Sequence, residues 1–160
     1  MAYRSSYSTG NYWVFFTVSA GLDIIHLLTQ TGLTLRIELT TWFNDTAYAQ
    51  YSYFKVGDES SKWRLSISGN SGNVNYDAMA RSNGELFSTY DNDNDSWGDN
   101  CAQNRHGAWW YNWCGRCNLN GEYTKDNGDD KASMSWFRFY SGRYFVPIMK
   151  SRIMVKHQGV

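Results

Sequence analysis

The sequence predicts an α+β domain, and three observations carry that expectation. One window, "LDIIHLLTQTG", has apolar residues at helical spacing and closes on Gly32. Three others, "LTLRIELTTW", "TAYAQYSYFKV" and "KWRLSISG", alternate apolar or aromatic residues with small or polar ones, the two-residue period of a strand. Hydrophobic residues make up 42% and aromatic residues 18% of the 160 positions. That is more than a disordered chain carries, and enough for one domain to bury its own core.

Taken in order, the elements begin with a short helix over about 22 to 30. A strand follows over about 33 to 42, then a turn at "FNDT", then the strand "TAYAQYSYFKV". "KWRLSISG" gives a third strand, "GNSGNVNYD" a loop, and "AMARSNG" one helical turn. From Ser88 to Asp130 periodicity fades and Asn, Asp and Gly dominate. A loop of that length inside a compact domain is usually functional. Strand character returns at "MSWFRFY" and "RIMVK", and Pro147 is the sole proline.

Fifteen acids balance fifteen bases, so a general attraction to nucleic acid has no basis. The bases Lys131, Arg138, Arg143, Lys150, Arg152 and Lys156 follow the last acid, Asp130. They read first as a solvated face and second as a docking surface for an acidic partner. The longest apolar run, "WVFFTVSAGLDIIHLL", is broken by Asp23 and is too short to span a membrane. "MAYRSSYSTG" has no apolar core of a secretory signal, whereas sequons at Asn44 and Asn94 suit a secreted chain. Enzyme motifs are missing: there is no G-x-S-x-G, no H-E-x-x-H and no phosphate-binding glycine loop. His26, His106 and His157 are scattered, and His26 reads as structural in the helix.

Within the long loop, Asp91, Asp93, Asp95 and Asp99 stand in nine residues without a base. Crowded carboxylates repel unless a cation neutralises them, and calcium takes six to eight oxygens. The EF-hand pattern fails: counting from Asp91 puts Ser96 at position six and Ala102 at twelve, and counting from Asp93 puts Asn104 at twelve. A calcium loop and a solvated Asn/Asp turn are both open on the residues alone. Three cysteines follow, Cys101, Cys114 and Cys117. "CGRC" has the spacing of a redox pair or half a zinc site, but "NLNGEY" does not start a helix and His106 is the one nearby imidazole. One disulfide with one free thiol is the remaining option, and spacing does not choose the pair.

"GNYW", "IHLLTQTG", "LRIEL", "TAYAQYSYFKVGDESSKWRLSISGNSGN", "FSTYDNDND", "NCA", "WWYN", "CNLNGEY" and "IMVK" occur in an order that resembles the fibrinogen C-terminal domain, shared by ficolins, tachylectins, angiopoietins, tenascins and the fibrinogen chains. The resemblance runs from Gly10 to about Lys156. The family's N-terminal subdomain is missing from it, and "VFFTVSA" looks inserted. The resemblance implies one domain over 1–160, an antiparallel sheet from about 10–90 and 134–156, and a calcium and pocket region over about 88–130. It further implies a secreted, non-catalytic ligand-binding protein. Calcium would be held by the side chains of Asp93 and Asp95 and the carbonyls of Trp97 and Asp99. A disulfide would join Cys101 to Cys114, with a cis Trp113–Cys114 peptide beside a recognition pocket walled by Arg105, Trp113, Cys114, Gly115 and Tyr123.

The pocket departs from the sugar-binding members. Arg105 stands where they place a tyrosine, Gly115 where they place a histidine, and Asp130 and Lys131 fall near a second tyrosine. Cys117 is extra, either a buried small hydrophobe or an intermolecular link, and a homo-oligomer is compatible with the chain. The expectation drawn is a calcium-dependent lectin for microbial glycans in innate immunity. Arg105 would tilt its preference from acetylated sugars to anionic ligands such as acidic bacterial wall polymers. The alternative is a protein-binding module that recognises a receptor or peptide, as in the angiopoietin-like and fibrinogen branches.

Overall fold

The computed structural model describes residues 13–16, 21–125 and 131–157. Most of the "VFFTVSA" stretch, the "GNY" before Trp13, and Asp130 lie outside these residues.

Strand β1 (Val14–Phe16) precedes helix α1 (Leu22–Thr29), whose limits agree with the apolar spacing. Gly32, at φ 77°, turns the chain from the helix into β2 (Leu33–Thr41). β3 (Thr46–Val56) pairs antiparallel with β2, Ile37 facing Ala49, and β4 (Leu65–Gly72) pairs antiparallel with β3. β4 starts three residues later than the pattern "KWRLSISG" suggests. Lys62 and Trp63 are both left-handed (φ 53° and 56°), a turn that no strand can include. A 3-10 turn at Ala80–Ser82 occupies "AMARSNG" as expected.

The long loop is broken by short elements: β5 (Phe87–Ser88), α2 (Cys101–Asn104), β6 (Trp109–Trp110) and β7 (Cys117–Asn118). β8 (Ser135–Phe137) and β9 (Phe145–Lys156) complete the fold. The main sheet runs β4-β3-β2-β9-β8-β7, with β1 also on β9; β5 and β6 form a separate ribbon. All these strand pairs are antiparallel. The α+β expectation holds, with few short helices on a largely antiparallel sheet.

The core follows from alternation. Leu33, Leu35, Ile37 and Leu39 of β2 are buried, and Tyr51, Phe54 and Val56 of β3 join them. α1 is pinned to the end of β3 by two side chains. Thr29 Oγ1 donates to Ile25 O and accepts from Val56 N (3.0 Å), while His26 Nδ1 meets Val56 O at 2.9 Å. His26 is therefore structural. Trp136 is wholly buried and its indole N–H donates to Tyr76 O at 3.0 Å, which ties β8 to the loop before the Ala80 turn.

Candidate functional site

The acidic segment is organised by side chains gripping backbone. Asp95 is half-buried; its Oδ1 accepts from Trp97 N (2.9 Å) and its Oδ2 from Cys101 N (2.8 Å). Asp93 is exposed, and its Oδ1 accepts from Asp95 N at 3.2 Å. Asn94 donates to Phe87 O, and Asn100 donates to Thr89 O and Tyr90 O while its Oδ1 caps α2 at Gln103 N. Asp91 turns aside to Thr89 Oγ1 (2.7 Å), and that hydrogen bond holds its carboxyl below the usual range. Asp95 moves the other way. Burial raises its proton affinity, and the neighbouring Asp93 carboxylate adds to the rise although two backbone N–H groups oppose it.

A positive charge placed between Asp93 and Asp95 would relieve that penalty. The available donors there are carboxylate and carbonyl oxygens, the set a hard divalent cation takes. Among the described residues no three or more His, Cys, Asp or Glu side chains converge, so a cation here would lean on backbone carbonyls and water as well. Trp97 is half-buried against the core and Asp99 is exposed, each with its carbonyl in the same short loop.

Cys101 is disulfide-bonded to Cys114, with Cα atoms 4.9 Å apart. The redox and zinc patterns of "CGRC" are thus unused. Cys117 is free and buried, 3.2 Å from Met79 Sδ, and desolvation pushes its thiol up to about 12. It is a core side chain, and its burial removes the intermolecular link.

The bend at Trp113 differs from expectation. Among the described residues no peptide is cis; instead Trp113, Cys114 and Gly115 are left-handed in succession, at φ 47°, 58° and 64°. Two non-glycine residues in that region cost roughly 1–2 kcal/mol each. The bend is closed by Gly115 N donating to Asn112 O at 2.7 Å. Trp113 N also reaches Ser96 Oγ at 3.4 Å, so the bend touches the acidic loop. The indole points outward, 69% exposed.

Arg105 is corrected most sharply. Expected as a charged wall of the pocket, it is 4% exposed. Its Nη1 donates to Lys131 O (3.1 Å) and its Nη2 to Gly115 O (3.2 Å), and its guanidinium lies 4.7 Å from the centre of the Phe145 ring. It braces the bend from below. Gly115 is half-buried and Cys114 buried, so those two and Arg105 do come together. Tyr123 is 67% exposed and its ring rests on Trp42, 5.1 Å between centroids. Beside it, His106 Nδ1 and Glu122 Oε1 meet at 2.6 Å.

Sequence reasoning overlooked the residue that knots this region. Asn118 is fully buried; its Nδ2 donates to Arg105 O (2.7 Å) and reaches Ala132 O (3.2 Å), and its Oδ1 accepts from Tyr111 Oη (2.8 Å). The signal was an Asn between Cys and Leu in "CNLNG", a polar residue flanked by two apolar ones.

The model of the fibrinogen beta and gamma chains, C-terminal globular domain, matches residues 4–156. The chain belongs to this family. It is 38% identical to angiopoietin-related protein 7 of Mus musculus over 146 residues, 90% of this chain and 42% of that one. It is 36% identical to the human fibrinogen alpha chain over 147 residues, 86% of this chain and 16% of that one. Among solved structures, the fibrinogen-like globe domain of human ANGPTL6 superposes with a TM-score of 0.77 at 30% identity, covering 88% of this chain and 64% of that one. A lamprey fibrin D-dimer complexed with the peptide Gly-His-Arg-Pro-amide superposes at 0.72 with 26% identity, covering 98% of this chain and 57% of that one. The chain spans less than half the length of the curated relatives it matches.

These relatives overturn the expectation of a microbial lectin. They are angiopoietin-related proteins and fibrinogen chains, which point to a protein-binding module. The inward turn of Arg105 removes the physical ground for an anionic-glycan preference as well.

Proposed function

We propose that this chain is a non-catalytic, extracellular protein-binding module that engages a receptor or peptide through the surface around Trp113. The observation that carries it is Trp113 itself: a large indole left in solvent on a bend locked by a disulfide and braced by Arg105. A rigid exposed aromatic costs little entropy to dock and is the commonest kind of interface hot spot. Tyr123, also exposed, supplies a second ring. The lamprey relative's complex with a four-residue peptide supports a peptide-sized partner for this fold. The disulfide suits an oxidising, extracellular setting. Among the described residues no helix is long and apolar enough to cross a membrane.

We further infer that Asp93 and Asp95 hold a calcium ion through their carboxylates, with the carbonyls of Trp97 and Asp99. Support comes from the all-oxygen donor set and from the raised proton affinity of Asp95. When bound, the ion supplies positive charge that offsets carboxylate repulsion and stiffens the loop entering Cys101. Asp95 transmits that order directly, since its Oδ2 holds Cys101 N.

The experiment is a binding screen of the chain against receptor ectodomains and against Gly-His-Arg-Pro-amide, with Trp113→Ala in parallel. A hot-spot indole predicts a loss of about 2 kcal/mol or more, some thirtyfold in Kd, with the melting temperature almost unchanged because the ring is exposed. Binding confined to free sugars, or protein binding that ignores Trp113→Ala, would overturn the proposal.

A further inference from the structure

The two Asn-x-Ser/Thr triplets, Asn44-Asp45-Thr46 and Asn94-Asp95-Ser96, are treated differently by the fold. The first lies in the turn that joins β2 to β3, and its three residues are all exposed. Asn44 is left-handed, at φ 66°, a conformation that asparagine tolerates better than most residues with a side chain. Other groups close the turn. Asn44 N donates to Thr41 O (3.0 Å), Thr41 N to Asp45 O (2.9 Å) and Phe43 N to Thr41 Oγ1 (3.2 Å). Tyr140 Oη donates to Asp45 Oδ2 and meets Thr41 Oγ1 at 3.0 Å, which ties the turn to the segment after β8. Among the described residues, the Asn44 amide and the Thr46 hydroxyl enter no hydrogen bond. The backbone that presents them is fixed, and the fold uses neither side chain.

The second triplet is consumed by the fold. Asn94 is half-buried; its Nδ2 donates to Phe87 O (3.0 Å) and to Asn92 Oδ1 (3.3 Å), and its N donates to Ser88 Oγ (2.9 Å). Asp95 holds Trp97 N and Cys101 N, and Ser96 Oγ accepts from Trp113 N at 3.4 Å. A sugar on Asn94 Nδ2 takes the place of one amide hydrogen and sets a bulky, hydrated group where Phe87 and Asn92 stand. A chain modified there loses bonds that organise the acidic loop.

We propose that Asn44 is an N-glycosylation site and that Asn94 is not, although both carry the sequon. In the transfer, Asn44 Nδ2 forms a bond to the anomeric carbon of an oligosaccharide carried on a lipid pyrophosphate. The bond from that carbon to the pyrophosphate oxygen breaks, the lipid pyrophosphate leaves, and one amide proton is released. The remaining N–H stays in solvent, so the fold gives up no hydrogen bond. The proposal rests on the extracellular setting inferred above, and not on the Trp113 surface.

The test is the full chain passed through the secretory pathway of animal cells. Its glycans are cut by peptide N-glycosidase in heavy-oxygen water, and its peptides are mapped by mass spectrometry. One glycan per chain is expected, with the heavy-oxygen label at Asn44 and none at Asn94. Thr46→Ala, which leaves the asparagine of the turn in place, should bring occupancy to zero, and Thr46→Ser should restore it. Ser96→Ala removes the second sequon but not the bonds of Asn94, and should leave the one glycan. These readouts are masses, so they do not depend on the stability of a variant. Label at Asn94 in the folded, secreted chain would overturn the proposal, as would a glycan that survives Thr46→Ala or is lost with Ser96→Ala. A chain bare at Asn44 that has formed the Cys101–Cys114 bond overturns this proposal alone. A bare chain without that bond overturns the extracellular setting with it.

Discussion

Breaking the Cys101–Cys114 bond tests how the site is held. The bond closes a chain segment whose ends are 13 residues apart. In the loop-entropy treatment such a crosslink removes about 10 cal/mol/K from the unfolded chain, or about 3 kcal/mol at 25 °C. For a chain of this size each kcal/mol moves the melting temperature by about 2–4 °C, so a fall of about 6–12 °C is expected on reduction. The assay is thermal and urea unfolding of the oxidised protein, the reduced and alkylated protein, and the Cys101→Ala/Cys114→Ala variant. The variant also loses two buried sulfur atoms, so it should melt no higher than the reduced wild type. Reduction should raise the urea sensitivity of the Trp113 bend first, since the hydrogen bond that Trp113 N donates to Ser96 Oγ then ties it to the acidic loop in place of the crosslink. A reduced protein with an unshifted midpoint would refute the reasoning, as would a Cys114–Cys117 link recovered from fresh folded protein.

Calcium should raise the melting temperature with concentration, by the equivalent of about 2.7 kcal/mol at a hundred times Kd, and chelator should reverse it. Asp93→Asn should remove that response while sparing the calcium-free protein. Asp95→Asn should also cost roughly 1–3 kcal/mol without calcium, because an amide nitrogen would then face the Cys101 N–H; a calcium-free Asp95→Asn as stable as wild type counts against the arrangement. For Cys117 the folded thiol titrates near 12 against an ordinary value of about 8.5, so the unfolded chain loses its proton first. Stability should therefore fall by about 1.4 kcal/mol per pH unit above about 8.5, until about 12. Cys117→Ala should flatten that slope in pH-dependent urea unfolding, and an unchanged slope would show that other groups cause it. At Gly121 an added Cβ would collide with Asn118 Nδ2 and with the carbonyls of Ala132 and Ser133. Gly121→Ala should destabilise by about 1–3 kcal/mol, read from the urea midpoint, and a neutral result would mean that the Asn118 knot is looser than drawn.

The elements that periodicity revealed are those long enough to show a period. α1, β2 and β3 were legible because eight to eleven residues each keep one face on the core. β9 was legible only at its end, "RIMVK". Its middle carries Pro147, Lys150 and Ser151, and both faces of its first half are covered, so no simple alternation survives. β5, β6 and β7 have two residues each, which no pattern can display. The disulfide pair came from family likeness, since three cysteines allow three pairings. Arg105 was misread because a charge in a polar loop ordinarily faces water. Its burial depends on the carbonyls of Lys131 and Gly115 and on the Phe145 ring, groups 10 to 40 residues away whose placement no local window contains.

The Asn and Asp richness of the long loop has a reason beyond any bound ion. A segment with almost no strand ladder must still pair its backbone groups wherever it is covered. Here the side chains do so: Asp95 takes Trp97 N and Cys101 N, Asn94 gives to Phe87 O, Asn100 gives to Thr89 O and Tyr90 O, and Asn118 gives to Arg105 O. Each of these short polar residues replaces a neighbouring strand. They also close a circuit, from Asp95 to Cys101, across the disulfide to Cys114, along the chain to Trp113, and back through Trp113 N to Ser96 beside Asp95. A change of charge at Asp95 thus acts within a few bonds of the exposed indole. The acidic loop and the ring cluster are one mechanical unit, and order imposed on the first limits the positions open to the second.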